Sequence, residues 1–208
     1  MAQCFSVHPA NPQPRLIRQA AERVREGSVV VYPTDSCYAL GCRLDDRAAV
    51  DRIRAIRALS AGHLLTLVCR DLSEVARYAR VDNRQFRLLK SATPGAYTFI
   101  LEATREVPKR LQHPKRNTVG LRVPDHPVTQ ALLEELREAM LSTSLVLPGD
   151  EFPLNDADEM RERLGSQVDL IVESGTCGLE MTTVIDLTGQ APRVLRVGKG
   201  GLGVFGLG

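Results

Sequence analysis

The first side chains suited to chemistry follow a hydrophobic run at residues 29–32. The run has the β-branched and aromatic composition of a strand buried on both faces, and Pro33 ends it. Thr34, Asp35 and Ser36 come next, so two hydroxyls and a carboxylate stand at the end of a core strand. Open α/β sheets bind ligands at the carboxyl ends of their strands, which makes this turn a candidate binding site. The alternative is a turn whose Asp and Ser bond only their own backbone, and composition alone favours it.

Metal and disulfide chemistry find no support in the remaining reactive residues. The cysteines are five in number, an odd count without a Cys-x-x-Cys pair: Cys4, Cys37, Cys42, Cys69 and Cys177. This usage predicts free thiols in a reducing cytoplasm. The four histidines are scattered without ligand spacing, which argues against a structural zinc site. We therefore predict no metal-binding residues.

The glycines at residues 198–203 fit the Gly-x-Gly-x-x-Gly pattern of dinucleotide-binding loops. That chemistry needs a helix directly after the glycines, whose amides hold the pyrophosphate. Only VFGLG follows here. The sequence instead predicts a flexible Gly-rich tail over about residues 199–208.

The composition is that of an ordinary globular protein, with 43% hydrophobic and 25% charged residues among 208. Thr66 interrupts one of the longest apolar stretches, so no membrane span is expected. The N-terminus lacks the pattern of a signal peptide, which predicts a cytoplasmic protein. Because no linker or repeat is visible, we expect one domain over residues 1–208.

The net charge of +2 conceals an uneven distribution. Residues 77–122 carry eleven Lys and Arg against three acids, whereas residues 125–173 carry three against twelve. Such charges usually form a solvated surface. The basic segment also suits an anionic partner, either nucleic acid or phosphates.

Helix and strand patterns alternate along the chain. Helical spacing covers residues 15–26, 48–59, 71–78, 82–93, 128–138 and 156–164. Strand-like runs cover residues 29–32, 64–69, 97–103, 118–123, 140–147, 168–172, 182–187 and 193–197. This order predicts an α/β fold with a mixed sheet.

Four stretches resemble the YrdC/YciO family, and their details are most similar to its YciO branch. They are YPTDSCYALG at 32–41, PGAYTFIL at 94–101, TVGLRVPDHP at 118–127, and TTVID at 182–186 with LRVG at 195–198. The resemblance covers nearly the whole chain in the right order. It implies a strongly twisted sheet of parallel and antiparallel strands, with helices around a concave, positively charged cavity.

The resemblance implies synthesis of threonylcarbamoyl-adenylate for the threonylcarbamoyladenosine modification of tRNA. L-threonine, bicarbonate and ATP would be the substrates, and pyrophosphate would be released. Mg²⁺ is expected to accompany ATP, and no permanently bound cofactor is implied. The implied partners are tRNA and other tRNA-modification proteins, with no membrane.

The family's site residues carry over to matching positions of this chain. The implied nucleotide-binding residues, of which Arg57 is also the catalytic cation, are Arg57, Thr118, Ser144 and Arg196. The implied threonine-binding residues are Thr34, Ser36, Tyr38, Arg122 and Thr182. Turn capping is the alternative for Thr34 and Ser36, and a satisfied core hydroxyl is the alternative for Tyr38. For Arg122, which lies within a strand and needs a partner if buried, we expect ligand binding.

Two motif positions, Leu59 and Val146, lose the family's polar side chain, and a third keeps a cation as Arg57 in place of lysine. Where its Lys-x-Arg motif stands, this chain has Arg57 and Leu59; where its Ser-Ala-Asn motif stands, it has Ser144 and Val146. Losing a phosphate cation and an amide predicts catalysis that is weak. The double change Leu59→Arg, Val146→Asn is expected to raise activity, with a smaller gain if Leu59 packs in the core.

A non-catalytic module that binds tRNA or double-stranded RNA is the alternative function. The candidate phosphate contacts are Lys90, Lys109, Arg110, Lys115 and Arg116. Four Tyr, five Phe and no Trp argue against a stacking platform for single strands and favour recognition of paired RNA. A purely structural role ranks last, because the polar cavity residues persist.

Overall fold

The computed structural model describes residues 1–60 and 62–206 of the chain. In this part of the chain, helices and strands alternate and all the strands join one sheet. The helices are α1 (Pro14–Arg25), α2 (Arg47–Ile56), α3 (Leu72–Tyr78), α4 (Asn83–Ala92), α5 (Pro127–Leu136) and α6 (Ala157–Leu164). The strands are β1 (Gln3–Ser6), β2 (Val30–Tyr32), β3 (Ala39–Arg43), β4 (Thr66–Val68), β5 (Ala79–Arg80), β6 (Tyr97–Ala103), β7 (Thr118–Arg122), β8 (Met140–Ser144), β9 (Leu170–Glu173), β10 (Thr183–Asp186) and β11 (Arg193–Arg196).

The sheet is mixed, as the sequence predicts. Its order is β1-β9-β2-β3-β8-β4-β7-β6-β10-β11, with β5 paired to β6 outside this path. The pairs β1/β9, β2/β9, β4/β7 and β6/β10 are parallel. The remaining pairs, among them β3/β8 and β6/β7, are antiparallel. The predicted mixed α/β fold is confirmed.

The two faces of the sheet are covered to different extents. On one face Val31, Leu40, Leu67 and Phe99 pack in a core that includes residues of α2, α3, α4 and α6. On the other face Val30 and Tyr32 pack against α1 and α5, which also contact each other. Helix α1 contacts β3 and β9, whereas side chains of β8, β4, β7, β6 and β10 line a cavity, so this part of the face is open. The candidate site occupies the open part.

Local signals account for the helix ends. Asp82 and Gln85 form the capping box of α4: the Gln85 N–H donates to Asp82 Oδ1 at 2.7 Å, and the Asp82 N–H donates to Gln85 Oε1 at 2.9 Å. Helix α5 ends at Leu136, two residues before the predicted end, because Arg137 adopts a left-handed conformation with φ of 57°.

Strands β1, β3 and the two-residue β5 are absent from the sequence prediction. β1 is four residues long, and of these only Phe5 is buried, so it shows little of the hydrophobic pattern of a strand. β3 follows the Thr34 turn as ALGCR, a short apolar run without alternation. It becomes a strand because it pairs with both β2 and β8.

The Gly-rich end differs from the predicted flexible tail in its described part. Residues 203–205 form a 3-10 helix, and Phe205 is 8% exposed. The Phe205 ring lies 5.5 Å from the ring of Tyr97 and 6.0 Å from that of Phe99, between ring centres. The prediction for residues 207–208 falls outside the described residues. In residues 1–60 and 62–206, no helix has the length and apolarity needed to cross a membrane.

Candidate functional site

A cavity of about 260 Å³ lies on the open part of the sheet. Its floor shows the two-residue period of β7: Thr118, Gly120 and Arg122 line the cavity, while Leu121 packs in the core behind the sheet. Gly120 pairs with Thr66 of β4 and Ile100 of β6, which also line the cavity. A Cβ placed at Gly120 would stand 3.4 to 3.5 Å from Thr98, Ile100 and Thr66. The missing side chain of Gly120 therefore leaves space at the cavity floor.

The charged groups of the cavity wall are cationic. Four arginines line it: Arg57, Arg116, Arg122 and Arg196. Among the described residues no Asp or Glu lines it. An anion is therefore the ligand that the wall favours.

Two of the four arginines pair with carboxylates behind the wall, and one of these carboxylates, Asp186, is shared with Arg193 at 3.3 Å. Arg116 Nη1 lies 2.9 Å from Oδ2 of the buried Asp186. Arg122, 6% exposed, forms an ion pair with Asp35 through its Nη2 atom. Arg57 and Arg196 are thus the cavity arginines that have no carboxylate partner in the described residues.

Arg57 follows α2 as its C-cap residue. Its Nε atom is buried and has no hydrogen-bond partner among residues 1–60 and 62–206. Partial desolvation lowers the pKa of Arg57, although a guanidinium remains protonated at neutral pH. A desolvated cation with an unused donor is prepared to bind an anion.

Arg196 of β11 is held in place by the residue before β10. Its Nε and Nη2 atoms donate to the Thr182 carbonyl at 3.1 and 2.9 Å, and Nη2 also donates to Thr182 Oγ1 at 3.1 Å. Thr182 Oγ1 lies 2.9 Å from Thr98 Oγ1. Desolvation lowers the pKa of Arg196, and the nearby positive charge of Arg122 contributes to this shift.

Hydroxyl groups complete the wall. Thr118 is 3% exposed, and its Oγ1 atom has no partner in the described part of the chain. Ser144 of β8 lines the cavity as well. A buried hydroxyl without a partner is costly, so Thr118 is suited to a hydrogen bond from bound ligand or water.

The Thr34 turn is built by its own side chains. Thr34 Oγ1 accepts hydrogen bonds from the N–H groups of Ser36 at 3.1 Å and Cys37 at 3.2 Å, and donates to the Cys37 carbonyl at 2.6 Å. Ser36 Oγ, fully buried, lies 3.1 Å from Thr34 Oγ1. The turn-capping interpretation therefore describes both residues. Thr34 reaches the site through Arg122, whose Nη2 donates to its Oγ1 at 3.1 Å.

Tyr38 is a satisfied core hydroxyl in this structure. Its OH donates to the Gly175 carbonyl at 2.6 Å and accepts from the Ser174 N–H at 2.9 Å. Burial raises the pKa of Tyr38. Tyr38, Thr34 and Ser36 do not line the cavity, so a direct contact with threonine is not what their geometry favours.

The structure brings most of the implied ligand residues together. All four of the implied nucleotide residues line the cavity: Arg57, Thr118, Ser144 and Arg196. Of the implied threonine residues, Arg122 and Thr182 line it. Their binding roles remain predictions.

The implied RNA-binding residues lie elsewhere on the surface. Lys109, Arg110, Lys115 and Arg116 lie on the connection between β6 and β7, whereas Lys90 is on α4. Only Arg116 of these lines the cavity. A second cavity of about 530 Å³ borders the first at Arg116 and Thr118.

His63 is a cavity residue that sequence reasoning missed. It lines the wall with Arg57 and Arg196. Partial desolvation and the charges of Arg57, Arg54 and Arg196 lower the pKa of His63, so its imidazole is neutral at neutral pH. An isolated histidine without ligand spacing gives no signal in the sequence.

The two positions that depart from the family motifs do not line the cavity. Leu59 is partly buried and packs against the main core, and Val146 is half-buried beyond the end of β8. Leu59 therefore uses its side chain for packing in this structure, and the effect of Leu59→Arg, Val146→Asn on activity stays a prediction.

The cavity wall does not fit a resident metal ion. Hard cations such as Mg²⁺ prefer carboxylate oxygens, and the wall offers arginines and hydroxyls. The described residues contain no group of three His, Cys, Asp or Glu side chains positioned to hold a metal. Phosphate oxygens of a nucleotide would have to supply most of the ligands of a bound Mg²⁺.

Comparisons with known proteins agree on one family. The family model of the Sua5, YciO and YrdC proteins, which carries the description "Telomere recombination", matches residues 22–198. YciO of Escherichia coli strain K12 is 58% identical over 205 residues, which cover 99% of this chain and 100% of that protein. Its crystal structure superposes with a TM-score of 0.95, at 57% identity, and covers 99% of this chain and 100% of its own.

More distant relatives carry functional names. The threonylcarbamoyl-AMP synthase of Halorhodospira halophila is 32% identical over 178 residues, covering 85% of this chain and 92% of that protein. The crystal structure of P. abyssi Sua5 complexed with L-threonine superposes with a TM-score of 0.86 at 27% identity. The match covers 95% of this chain and 58% of that chain. From its matching residues, its fold and these relatives, the chain belongs to the Sua5/YciO/YrdC family.

Proposed function

We propose that the cavity binds ATP and L-threonine and forms threonylcarbamoyl-AMP, at a rate below that of an enzyme with the full family motifs. One observation carries the proposal: Arg57 and Arg196 bring unneutralised positive charge to a wall that no Asp or Glu of residues 1–60 and 62–206 lines. Two similarities support it: the fold is shared with a Sua5 protein complexed with L-threonine, and the sequence is 32% identical to that of a threonylcarbamoyl-AMP synthase.

The reaction makes one demand on the protein that these cations can meet. Bicarbonate and the amino group of threonine give a carbamate with loss of water. A carbamate oxygen then bonds to the α-phosphorus of ATP, the bond to the β-phosphate bridging oxygen breaks, and pyrophosphate leaves. Negative charge grows on the phosphate oxygens in the transition state, where positioned cations stabilise it.

Each wall residue has a role in this proposal. Arg57 and Arg196 bind the phosphates, and partial desolvation of Arg57 strengthens its interaction with an anion. Thr118 and Ser144 offer hydroxyls to phosphate or ribose oxygens. Arg122 and Thr182 lie at the amino-acid end, where the Arg122 Nε atom, buried and without a partner in the described part of the chain, can donate to a carboxylate.

Binding titrations test the proposal. Calorimetry with ATP and magnesium should show binding, and L-threonine should bind to the nucleotide-loaded protein. The absence of heat with millimolar ATP, in a protein shown to be folded, would overturn the proposal.

Leu59→Arg is expected to destabilise the protein without raising activity. Leu59 packs against the core, so an arginine there must bury a guanidinium without a partner or displace its neighbours. We expect a loss of about 1–3 kcal/mol in the free energy of unfolding, measured with urea. Leu59→Met is the control, with a cost below about 1.5 kcal/mol. A stable Leu59→Arg variant that releases pyrophosphate faster than the wild type would contradict this packing argument.

Binding to tRNA or double-stranded RNA is the second candidate function. One observation favours it: five exposed cations (Arg105, Lys109, Arg110, Lys115 and Arg116) share the connection between β6 and β7, which leads to the cavity through Arg116. Arg116 itself pairs with Asp186, so Lys109 and Lys115 are the better residues to reverse.

The change Lys109→Glu, Lys115→Glu should weaken duplex RNA binding about equally for all sequences, because phosphate contacts carry no sequence information. Affinity should also fall steeply with added salt. Filter binding at several salt concentrations measures both effects, and Arg15→Glu, at an exposed cation of α1 outside the candidate contacts, is the comparison. Binding that is insensitive to salt and to the reversals would make this connection a solvated surface.

A further inference from the structure

Hydrogen bonds hold the Gly-rich end of the chain beside the cavity wall. We call residues 197–206 the carboxyl-terminal strap. The Lys199 N–H donates to the Met181 carbonyl at 2.9 Å, and Met181 lines the cavity. Thr183 Oγ1 accepts from the Gly198 N–H at 2.9 Å and donates to the Gly200 carbonyl at 2.6 Å. The strap therefore runs along the start of β10, next to the cavity wall.

Two glycines of the strap have no space for a side chain, and two others do. A Cβ at Gly198 would overlap the Met181 carbonyl, and a Cβ at Gly200 would overlap the Tyr97 ring. That ring cannot easily move, because its OH donates to the Gly201 carbonyl at 2.9 Å and Phe205 packs against it. By contrast, a Cβ at Gly201 or Gly203 would meet nothing within 4 Å.

The close fit of the strap places Lys199 on the Thr34 turn. Lys199 Nζ donates a hydrogen bond to the backbone carbonyl of Asp35, 164 residues earlier in the chain. The carboxylate of the same Asp35 pairs with Arg122, and Arg122 also donates to Thr34 Oγ1. Lys199 therefore contacts Asp35, Asp35 contacts Arg122, and Arg122 lines the cavity.

We propose that Lys199 is a positioning residue that holds the Asp35 turn and so orients Arg122 toward the carboxylate of the amino-acid substrate. The inference rests on the proposed function for the identity of that substrate. Lys199 itself does not line the cavity, so its effect passes through Asp35. An exposed lysine adds little to global stability, and its influence should appear in substrate binding.

Substrate affinities measure this role. Lys199→Met removes the ammonium and keeps an apolar stem, and we expect threonine affinity to fall about tenfold, the loss typical of one charge-assisted hydrogen bond. ATP affinity should change less than about twofold, because Arg57 and Arg196 do not depend on Asp35. Lys199→Arg should restore most of the threonine affinity, and Arg18→Met, at an exposed cation of α1 that does not line the cavity, should have no effect. Equal threonine affinity in Lys199→Met and wild type would overturn the proposal.

The glycines supply a matched pair for the same test. Gly200→Ala should displace the strap from Tyr97 and reproduce the Lys199→Met loss of threonine affinity. Gly201→Ala, one residue away with open space, should bind threonine as the wild type does. Thermal unfolding of both variants checks that the fold is retained. Loss of threonine affinity in both variants, or in neither, would contradict a strap that acts through its fit.

A measurement without substrate separates this proposal from the proposed function. The N–H groups of Ser36 and Cys37 are bonded within the turn by Thr34 Oγ1. If Lys199 holds the turn, hydrogen exchange at these two amides should be faster in Lys199→Met than in wild type, with unchanged exchange in the core strands. Unchanged exchange at Ser36 and Cys37 would refute the link. A wild type that shows the link but binds no threonine would refute only the proposed substrate.

Discussion

The double variant Arg57→Met, Arg196→Met is expected to lose ATP binding and threonine-dependent pyrophosphate release together. These are the two cavity arginines without a carboxylate partner in the described part of the chain. Removing one charge-assisted contact typically costs about 1.5–3 kcal/mol, and removing one positioned transition-state donor costs roughly a hundredfold in rate. We therefore expect a loss of at least about a hundredfold, measured by calorimetry and by a coupled pyrophosphate assay.

Two control variants separate phosphate binding from general damage. Arg57→Lys keeps a cation at the position where the family motif has lysine, so it should retain most of the activity, although with a point charge instead of a fork. Arg87→Met removes an exposed cation of α4 that does not line the cavity and should be silent. A double variant that is folded and still releases pyrophosphate at the wild-type rate would show that these arginines do not bind the nucleotide.

Arg122→Met is expected to destabilise the fold by about 3–5 kcal/mol, the typical cost of breaking a buried ion pair. The side chains of Arg122 and Asp35 are 7% and 12% exposed, so the variant leaves the Asp35 carboxylate without a counterion and largely out of water. Thr34 Oγ1 also loses the hydrogen bond from Arg122. Urea denaturation of the variant and the wild type measures the difference.

A surface pair provides the matched comparison. Arg80 and Glu102 form an ion pair at 3.1 Å, but their side chains are 68% and 55% exposed. Arg80→Met should therefore cost less than about 1 kcal/mol. Adding Asp35→Asn to Arg122→Met should recover part of the stability, because it removes the unpaired charge. If Arg122→Met costs no more than Arg80→Met, the pair with Asp35 contributes nothing particular to the fold.

The sequence predicted the helices and strands whose hydrophobic residues recur at a clear helical or strand spacing. β6 has the predicted bounds of residues 97–103, and α1 is displaced by one residue from its prediction. In β7, Thr118, Gly120 and Arg122 line the cavity, whereas Leu121 packs only in the core behind the sheet. β3 was not predicted because its residues are buried through pairing with neighbours on both sides, which a local pattern does not reveal.

Long-range partners were the part of the site that sequence reasoning could not supply. Arg122, if buried, was expected to have a ligand as its partner. In the structure it pairs with Asp35, 87 residues earlier in the chain, before any ligand is bound. Residues 199–208 were predicted to be flexible, because glycines give the backbone conformational freedom. In the structure, Gly198 and Gly200 instead allow the backbone to lie close to Met181 and Tyr97.

The charge of the basic segment was likewise overestimated by counting residues. Arg116 and Arg122 lie within it, yet they pair with Asp186 and Asp35, which lie outside it. Net charge by segment ignores partners brought together by the fold. The free positive charge of the cavity comes from Arg57 and Arg196, which also lie outside the segment.

Pyrophosphate release from ATP by the wild-type protein, with and without L-threonine and bicarbonate, tests the central claim most directly. The site predicts release that depends on threonine, falls to background in Arg57→Met, Arg196→Met, and is slower than that of a full-motif synthase. Threonylcarbamoyl-AMP should appear in equal amount. A folded protein that binds ATP but releases no pyrophosphate above background when threonine and bicarbonate are added would contradict the account.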